Sequence, residues 1–102
     1  MYEKLGCFID GEWRTETGKG ENVINPADES VLAFLPHATQ KDLEEALESA
    51  KNGFKIWKNT SVQKRAEILQ KTADLIEERS ERIARIITLE QGKPLRESQG
   101  EL

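Results

Sequence analysis

A single cysteine, Cys7, and a single histidine, His37, restrict what these 102 residues can do chemically. One thiol excludes an intrachain disulfide and fits a reducing compartment, so the expected location is cytoplasmic. Cys7 and His37 stand far apart in sequence without ligand-like spacing, so they do not make a zinc site. Nor do they make a nucleophilic grouping: Cys7 falls on an expected strand, away from the helix N-terminus or basic pocket that activates a thiol. A packing role for Cys7 and a surface or loop role for His37 are the simpler readings. Also missing is any apolar run of membrane-spanning length, and Met1-Tyr2-Glu3-Lys4-Leu5 has no signal-peptide core. Basic excess is lacking, with a net charge of −4. Lys64, Arg65, Arg79, Arg82 and Arg85 alternate with Glu67, Glu77, Glu78 and Glu81, which describes a solvated helix face. A phosphate-binding surface needs concentrated cations instead. Neither nucleic acid nor a membrane is therefore expected as a partner.

Nucleotide-binding loops are missing as well. Gly18-Lys19-Gly20 lacks the third glycine of a dinucleotide fingerprint and the strand and helix that should flank it. Gly92-Lys93 is not a P-loop, because Ile87 stands where its first glycine belongs and Pro94 follows the lysine. Both read as turn glycines.

What remains is a soluble, globular composition: 36% apolar and 33% charged residues, enough for one modest core. A chain of this size buries roughly 60–65% of its unfolded surface. It reads as an α+β segment, a single partial domain over 1–102, with strands and turns in 1–36 and helices in 39–102. Asp10-Gly11 between Cys7-Phe8-Ile9 and Glu12-Trp13-Arg14 is a two-residue hairpin signal, since a type I′ turn needs positive φ twice. That register sets Ile9 opposite Glu12 and Phe8 opposite Trp13, an aromatic pair worth roughly 0.2–1 kcal/mol. Thr15 to Glu21 reads as an exposed loop. Asn22-Val23-Ile24 is a short strand, Asn25-Pro26-Ala27-Asp28-Glu29 a turn, and Ser30 to Leu35 a returning strand that Pro36 ends.

Helical spacing then takes over. Thr39 is an expected N-cap with Asp42 in the first turn. Leu43, Ala46, Leu47, Ala50, Phe54 and Trp57 form one apolar stripe. Thr60-Ser61-Val62-Gln63 has the pattern of a capping box and opens a second helix. Its stripe is Val62, Ala66, Leu69, Ala73 and Ile76, with Ile68 and Leu75 beside it. Glu67 with Lys71 and Glu78 with Arg82 are i,i+4 pairs worth about 0.2–0.5 kcal/mol each. Ser80 either caps a third helix carrying Ile83, Ile86, Ile87 and Leu89, or the second helix runs on through a bend. Gly92 suits the left-handed position after that helix, and Pro94 is placed to open another turn of helix. Leu95, Ser98 and Leu102 begin a further stripe, which implies that the chain is a piece of something larger.

Most carboxylates belong to charged helix faces, and Glu90 is one exception. Near a helix C-terminus it meets the unfavourable end of the dipole, so a cation, a donor or a bound metal ion should compensate it. A structural salt bridge is the simpler reading and a bound ion the sharper one.

Phe8 to Trp13, Asn25-Pro26-Ala27, Asp42-Leu43 through Ala46 and Ala50 to Trp57, Arg65-Ala66-Glu67-Ile68-Leu69, Asp74-Leu75-Ile76 and Glu90 to Pro94 follow one another in a specific order. Taken together they resemble the amino-terminal part of NAD(P)-dependent aldehyde dehydrogenases over essentially the whole chain. The wording of Glu90-Gln91-Gly92-Lys93-Pro94-Leu95 is similar to the succinate-semialdehyde branch. The resemblance implies a β-hairpin and short strands followed by about three α-helices. It also implies an enzyme that oxidises an aldehyde to its acid through a thiohemiacetal on cysteine and hydride transfer to NAD or NADP. The family's nucleophile, general base, oxyanion donor and cofactor-binding residues come later in the polypeptide. No catalytic or cofactor-binding residue is therefore carried over, and this chain alone is expected to hold no cofactor and to be inactive. In some members a monovalent cation is bound near the strand before Asn-Pro and at the acidic residue of the glycine-lysine motif. Those positions correspond to Val23, Ile24 and Glu90.

Two functional readings follow. The first is the amino-terminal segment of an aldehyde dehydrogenase, whose partner is the remainder of that enzyme. The second is a non-catalytic helical interaction module that self-associates, or binds an unrelated protein, through exposed apolar helix faces.

Overall fold

The structure is a computed structural model that describes Tyr2, residues 4–15 and residues 18–102. Parts of the opening segment and of the expected loop after Thr15 lie outside the described residues. Two separate two-stranded antiparallel sheets precede four helices. The first sheet pairs β1 (Cys7–Ile9) with β2 (Glu12–Arg14) in the expected register, Cys7 against Arg14, Phe8 against Trp13 and Ile9 against Glu12. Its turn works because Asp10 and Gly11 take φ values of 53° and 80°, the double left-handed geometry of a type I′ turn. The Phe8 and Trp13 rings meet with centroids 5.2 Å apart, tilted by 52°.

The second sheet pairs β3 (Gly20–Ile24) with β4 (Val31–Pro36). β3 therefore begins two residues before the expected strand and takes Gly20 and Glu21 out of the predicted loop. Glycine is what allows this. A Cβ at position 20 would stand 2.3 Å from the Leu35 carbonyl oxygen and 2.6 Å from the Phe34 ring. The register slips between Val23 and Ile24. A compact turn closes the pair: the Asn25 side chain accepts from the Ala27 amide at 3.0 Å, and the Asn25 carbonyl accepts from the Glu29 amide at 2.8 Å. Asp28 accepts from both the amide and the hydroxyl of Ser30. Those bonds, the hydroxyl first, hold its carboxyl below the usual range.

Helix α1 (Gln40–Lys58) starts with the predicted cap, Thr39 accepting from the Asp42 amide while Asp42 accepts from the Thr39 amide. Helix α2 (Val62–Glu78) corrects the expected capping box. Ser61, not Thr60, is the N-cap and accepts from the Lys64 amide at 3.2 Å. Thr60 instead turns its hydroxyl back to the Ile56 carbonyl at 2.8 Å, finishing α1. Glu67 is reached at 3.3 Å by Lys64, one turn before it, in place of the expected Lys71 one turn after it. Helix α3 (Ser80–Gln91) is separated from α2 by Arg79 alone, at φ −101° and ψ 7°, with no side-chain cap. A third helix therefore forms, as one of the two readings had it, but Arg79 and not Ser80 stands at its N-cap. Gly92 ends α3 at φ 71°, its amide donating to the Thr88 carbonyl at 2.8 Å. Pro94 then precedes a short fourth helix, α4 (Leu95–Gly100), where the further stripe from Leu95 was expected. Ser98 is fully buried there, its hydroxyl 2.9 Å from that of Thr88.

Packing is thin. Among the described residues only Ile9, Ala84 and Ser98 are buried. The molecule measures 48 × 34 × 16 Å with a radius of gyration of 16.9 Å, against about 13 Å for a compact domain of this length. A thickness of 16 Å leaves room for little more than one layer of helix, since a helix with side chains is about 10–12 Å across. Layers bury apolar faces only against other layers. The accessible surface is accordingly 8191 Å², where a compact monomer of this mass exposes about 5,800 Å².

Candidate functional site

Glu90 sits in the last turn of α3 with an exposed side chain. Its Oε1 accepts a hydrogen bond from the Tyr2 hydroxyl. A donor thus meets the carboxylate at the unfavourable helix end. Partial burial first, then the bond to Glu90 and its negative charge, push the Tyr2 hydroxyl up to about 12. No sequence signal marks Tyr2, because the bond joins residues 88 positions apart. The hollow around this pair has a volume of about 250 Å³, and Lys4, Trp13 and Arg82 contribute to its wall. Val23 and Ile24 do not line it. They lie in β3 opposite Ala33 and Val31, at the register slip. The two regions approach one another through the backbone: a Cβ on Gly92 would come within 2.9 Å of the Pro26 ring. The end of α3 is thereby set against the turn that follows β3. The three residues expected at a cation do not share one hollow. Among the described residues no three His, Cys, Asp or Glu side chains converge on a metal-sized site.

A larger open cleft of about 790 Å³ lies between the first hairpin, the end of β4 and the start of α1. It brings Cys7 and His37, remote in sequence, to one set of walls. Among the described residues no hydrogen bond joins them. His37 instead donates its amide to the Lys19 carbonyl at 2.8 Å and sets Nε2 3.9 Å from Glu21. The dominant feature is Arg14, which reaches from β2 to Glu45 and, at 3.4 Å, to Asp42 on α1. The bond to Glu45 is the main reason its guanidinium holds its proton more tightly than usual. Asp42 is held below the usual carboxylate range, first by the Thr39 amide and hydroxyl and then by Arg14. With cations and carboxylates already bonded to each other, the cleft offers no field of one sign for a ligand. It fastens the hairpin to α1, helped by the Ser49 hydroxyl donating to Asp10 at 3.0 Å.

Neither cavity holds a nucleophile with its base or a cradle for a dinucleotide. Leu43, Leu47 and Phe54 on α1 and Val62 and Leu69 on α2 are all more than half exposed. At the corner between these helices Arg65 lies over Trp57 at 6.0 Å and Lys58 over Phe54 at 5.6 Å. Among the described residues no helix is long and apolar enough to cross a membrane.

Residues 13–102 match the model of the aldehyde dehydrogenase family. A malonate-semialdehyde dehydrogenase of Lacticaseibacillus casei is 47% identical over 101 residues, covering 96% of this chain and 20% of the relative. One of Halalkalibacterium halodurans is 44% identical, covering 98% and 21%. The NADP-dependent glyceraldehyde-3-phosphate dehydrogenase of Bacillus halodurans C-125, solved with NADP, superposes with a TM-score of 0.88 at 33% identity, covering 97% and 21%. Other matched structures were solved with NAD. The chain spans about one fifth of the length of the curated relatives it matches. Those relatives carry malonate semialdehyde in their names, so the succinate-semialdehyde wording of Glu90 to Leu95 finds no support in them.

Proposed function

We propose a function from one premise: this chain belongs to the aldehyde dehydrogenase family, its residues 13–102 matching that family and its fold matching the amino-terminal part of such enzymes. The chain is the amino-terminal scaffold of an enzyme that oxidises a short semialdehyde to the dicarboxylic acid, with NAD or NADP as hydride acceptor. Malonate semialdehyde is the preferred substrate in this reading. The observation that carries it is 44–47% identity to malonate-semialdehyde dehydrogenases over nearly all of this chain.

The contribution of these residues is architectural. The hairpin is fixed to α1 by Arg14, Asp42 and Glu45, and the end of α3 is fixed against Pro26 by Gly92. The apolar faces of α1 and α2 are the surfaces on which the remainder of the enzyme packs. If a monovalent cation binds in the intact enzyme, Glu90 and the backbone oxygens of Val23 and Ile24 are the groups this chain supplies. One cysteine fits a cytoplasmic enzyme.

The test begins with the reading frame. Sequencing past the codon for Leu102 is expected to show an open frame entering a cysteine-containing catalytic region. The product of that frame should reduce NAD(P)⁺ with a higher kcat/KM for malonate semialdehyde than for succinate semialdehyde. The 102-residue chain itself should give no turnover with either. Turnover by the short chain would overturn the scaffold role, and a reversed substrate ratio would overturn the substrate.

A further inference from the structure

We propose that Asn52-Gly53, in the interior of α1, is a self-modification site: the asparagine side chain closes on the backbone, releases ammonia and leaves an isoaspartyl link that breaks the helix. The inference uses α1 alone, so it stands or falls apart from the family reading.

The four asparagines of the chain are not equivalent. Deamidation needs the amide nitrogen of the next residue to reach Cγ of the asparagine. Asn25 precedes Pro26, which has no amide proton to lose. Asn22 and Asn59 precede Val23 and Thr60, whose branched Cβ atoms crowd the attacking nitrogen. Asn52 alone precedes a glycine. Both residues are exposed, and a Cβ built on Gly53 would meet nothing within 4 Å, so nothing packs over the reacting peptide. Asn52 Nδ2 donates to Glu48 Oε1 at 3.4 Å, a long bond to another exposed side chain.

The helix is the gate. While it is closed, the Gly53 amide belongs to the backbone ladder and is turned away from the Asn52 side chain. Ring closure therefore waits on local opening, and α1 has little to oppose it. None of its residues is buried. Its bonds to the first hairpin come from Asp42, Glu45 and Ser49, all before Asn52. Asn59 and Thr60 tie off the last turn, but they reach back only to Lys55 and Ile56. Asparagine and glycine are both poor helix formers, and a helix of this length is marginal without tertiary packing.

Once the turn opens, the Gly53 nitrogen gives up its proton and bonds to Cγ of Asn52. The Cγ–Nδ2 bond breaks, ammonia carries the proton away, and a cyclic imide remains. Water then opens the imide at one carbonyl to aspartate or at the other to isoaspartate. No electrons are exchanged with a further reagent. Isoaspartate carries the main chain through its side-chain carbons, so the backbone gains one carbon and the helical ladder cannot cross it. Phe54 and Trp57 then lose their register with Leu43 and Leu47, and the apolar stripe is cut in two.

The test keeps the 102-residue chain in mildly alkaline buffer and follows ammonia release and isoaspartate content, with the products mapped by mass spectrometry. Isoaspartate should form at Asn52 within about 30-fold of the rate in the same chain unfolded by urea, the ratio that weakly opposed local opening allows. Gly53→Ala should suppress the reaction in urea as well as in buffer, because the added methyl crowds the nitrogen whether or not the helix is formed. The isoaspartyl chain, isolated by chromatography, should lose helical ellipticity that Asn52→Asp keeps, since that variant has the same charge on an ordinary backbone. A slower native rate than this, ammonia traced to another asparagine, or equal ellipticity in the isoaspartyl chain and Asn52→Asp would overturn the proposal.

Discussion

The same substitution, glycine to alanine, should have opposite signs at two helical positions. Gly92 ends α3 at φ 71°, and a Cβ there would stand 2.9 Å from Cγ of Pro26. A left-handed alanine costs about 1–2 kcal/mol. Loss of unfolded-state freedom returns about 0.4–1 kcal/mol of that, and the Pro26 contact adds to the cost. Gly92→Ala should therefore destabilise by about 1 kcal/mol or slightly more. Gly53 lies inside α1, and a Cβ there would meet nothing within 4 Å. Gly53→Ala should stabilise by about 0.5–1 kcal/mol through helix propensity alone. The two variants should differ by roughly 1.5–2 kcal/mol, a gap in Tm on the order of 6–16 °C for a chain of this length. Thermal unfolding followed by circular dichroism measures this, at one protein concentration. Equal shifts of the same sign would refute the reasoning. The stop of α3 would then owe nothing to a left-handed residue held against the β3–β4 turn.

Other consequences follow from particular bonds. Thr39→Ala removes the α1 cap and should cost about 1 kcal/mol, read by chemical denaturation. Asp28 and Asp42 both have folded-state carboxyls depressed by hydrogen bonds. Their stabilisation is fully present above the unfolded value of about 3.9 and is lost as pH falls through the lower folded value. Asp42→Asn should flatten this acid limb in a urea-midpoint titration, and an unchanged limb would show that the Thr39 cap carries no linkage. Tyr2 is the only tyrosine, so tyrosinate absorbance should titrate near 12 instead of about 10, and Glu90→Gln should bring it down. The neutral hydroxyl is the favoured form, so its contribution is complete below about 10 and lost as pH rises through about 12. Gly20→Ala, with its Cβ 2.3 Å from the Leu35 oxygen, should abolish hydrogen-exchange protection in residues 20–36 and leave α2 as it was.

Features fixed within a few residues were legible in the sequence. Asp10-Gly11 named its turn and thereby the register of Phe8 against Trp13. Thr39 with Asp42 and Gly92 with Pro94 named both ends of the helical half. Local ambiguity produced the misses. Thr60 and Ser61 are both good caps, and the choice fell to Ser61 once Thr60 bonded back to Ile56. Gly20 looked like loop because its use, close approach to Leu35 and Phe34, depends on a strand 15 residues away. The contacts that build the two hollows, Tyr2 to Glu90 and Arg14 to Glu45, span 88 and 31 positions. Periodicity cannot reach that far. The ordered motifs gave the family for the same reason that they gave the elements, since each motif is a local turn, cap or stripe.

The order in this molecule is local in origin. Each helix except α3 begins with a side-chain cap or a proline, and each strand pair has its own turn. Secondary structure is thus specified from within, at short range. Tertiary structure is not: the three buried residues among those described supply little of the apolar burial that must offset roughly 1–2 kcal/mol of backbone entropy per ordered residue. The missing burial is available on the faces of α1 and α2, which are already amphipathic and already rigid in their own backbones. Covering them adds stability without a large new ordering cost, as packing of the remainder of an aldehyde dehydrogenase would. A covering surface should therefore raise the unfolding midpoint and protect Leu43 to Ile76 against exchange far more than Cys7 to Arg14. The first hairpin already has its partners in Asp42, Glu45 and Ser49, so protection gained first in the hairpin would contradict this order of dependence.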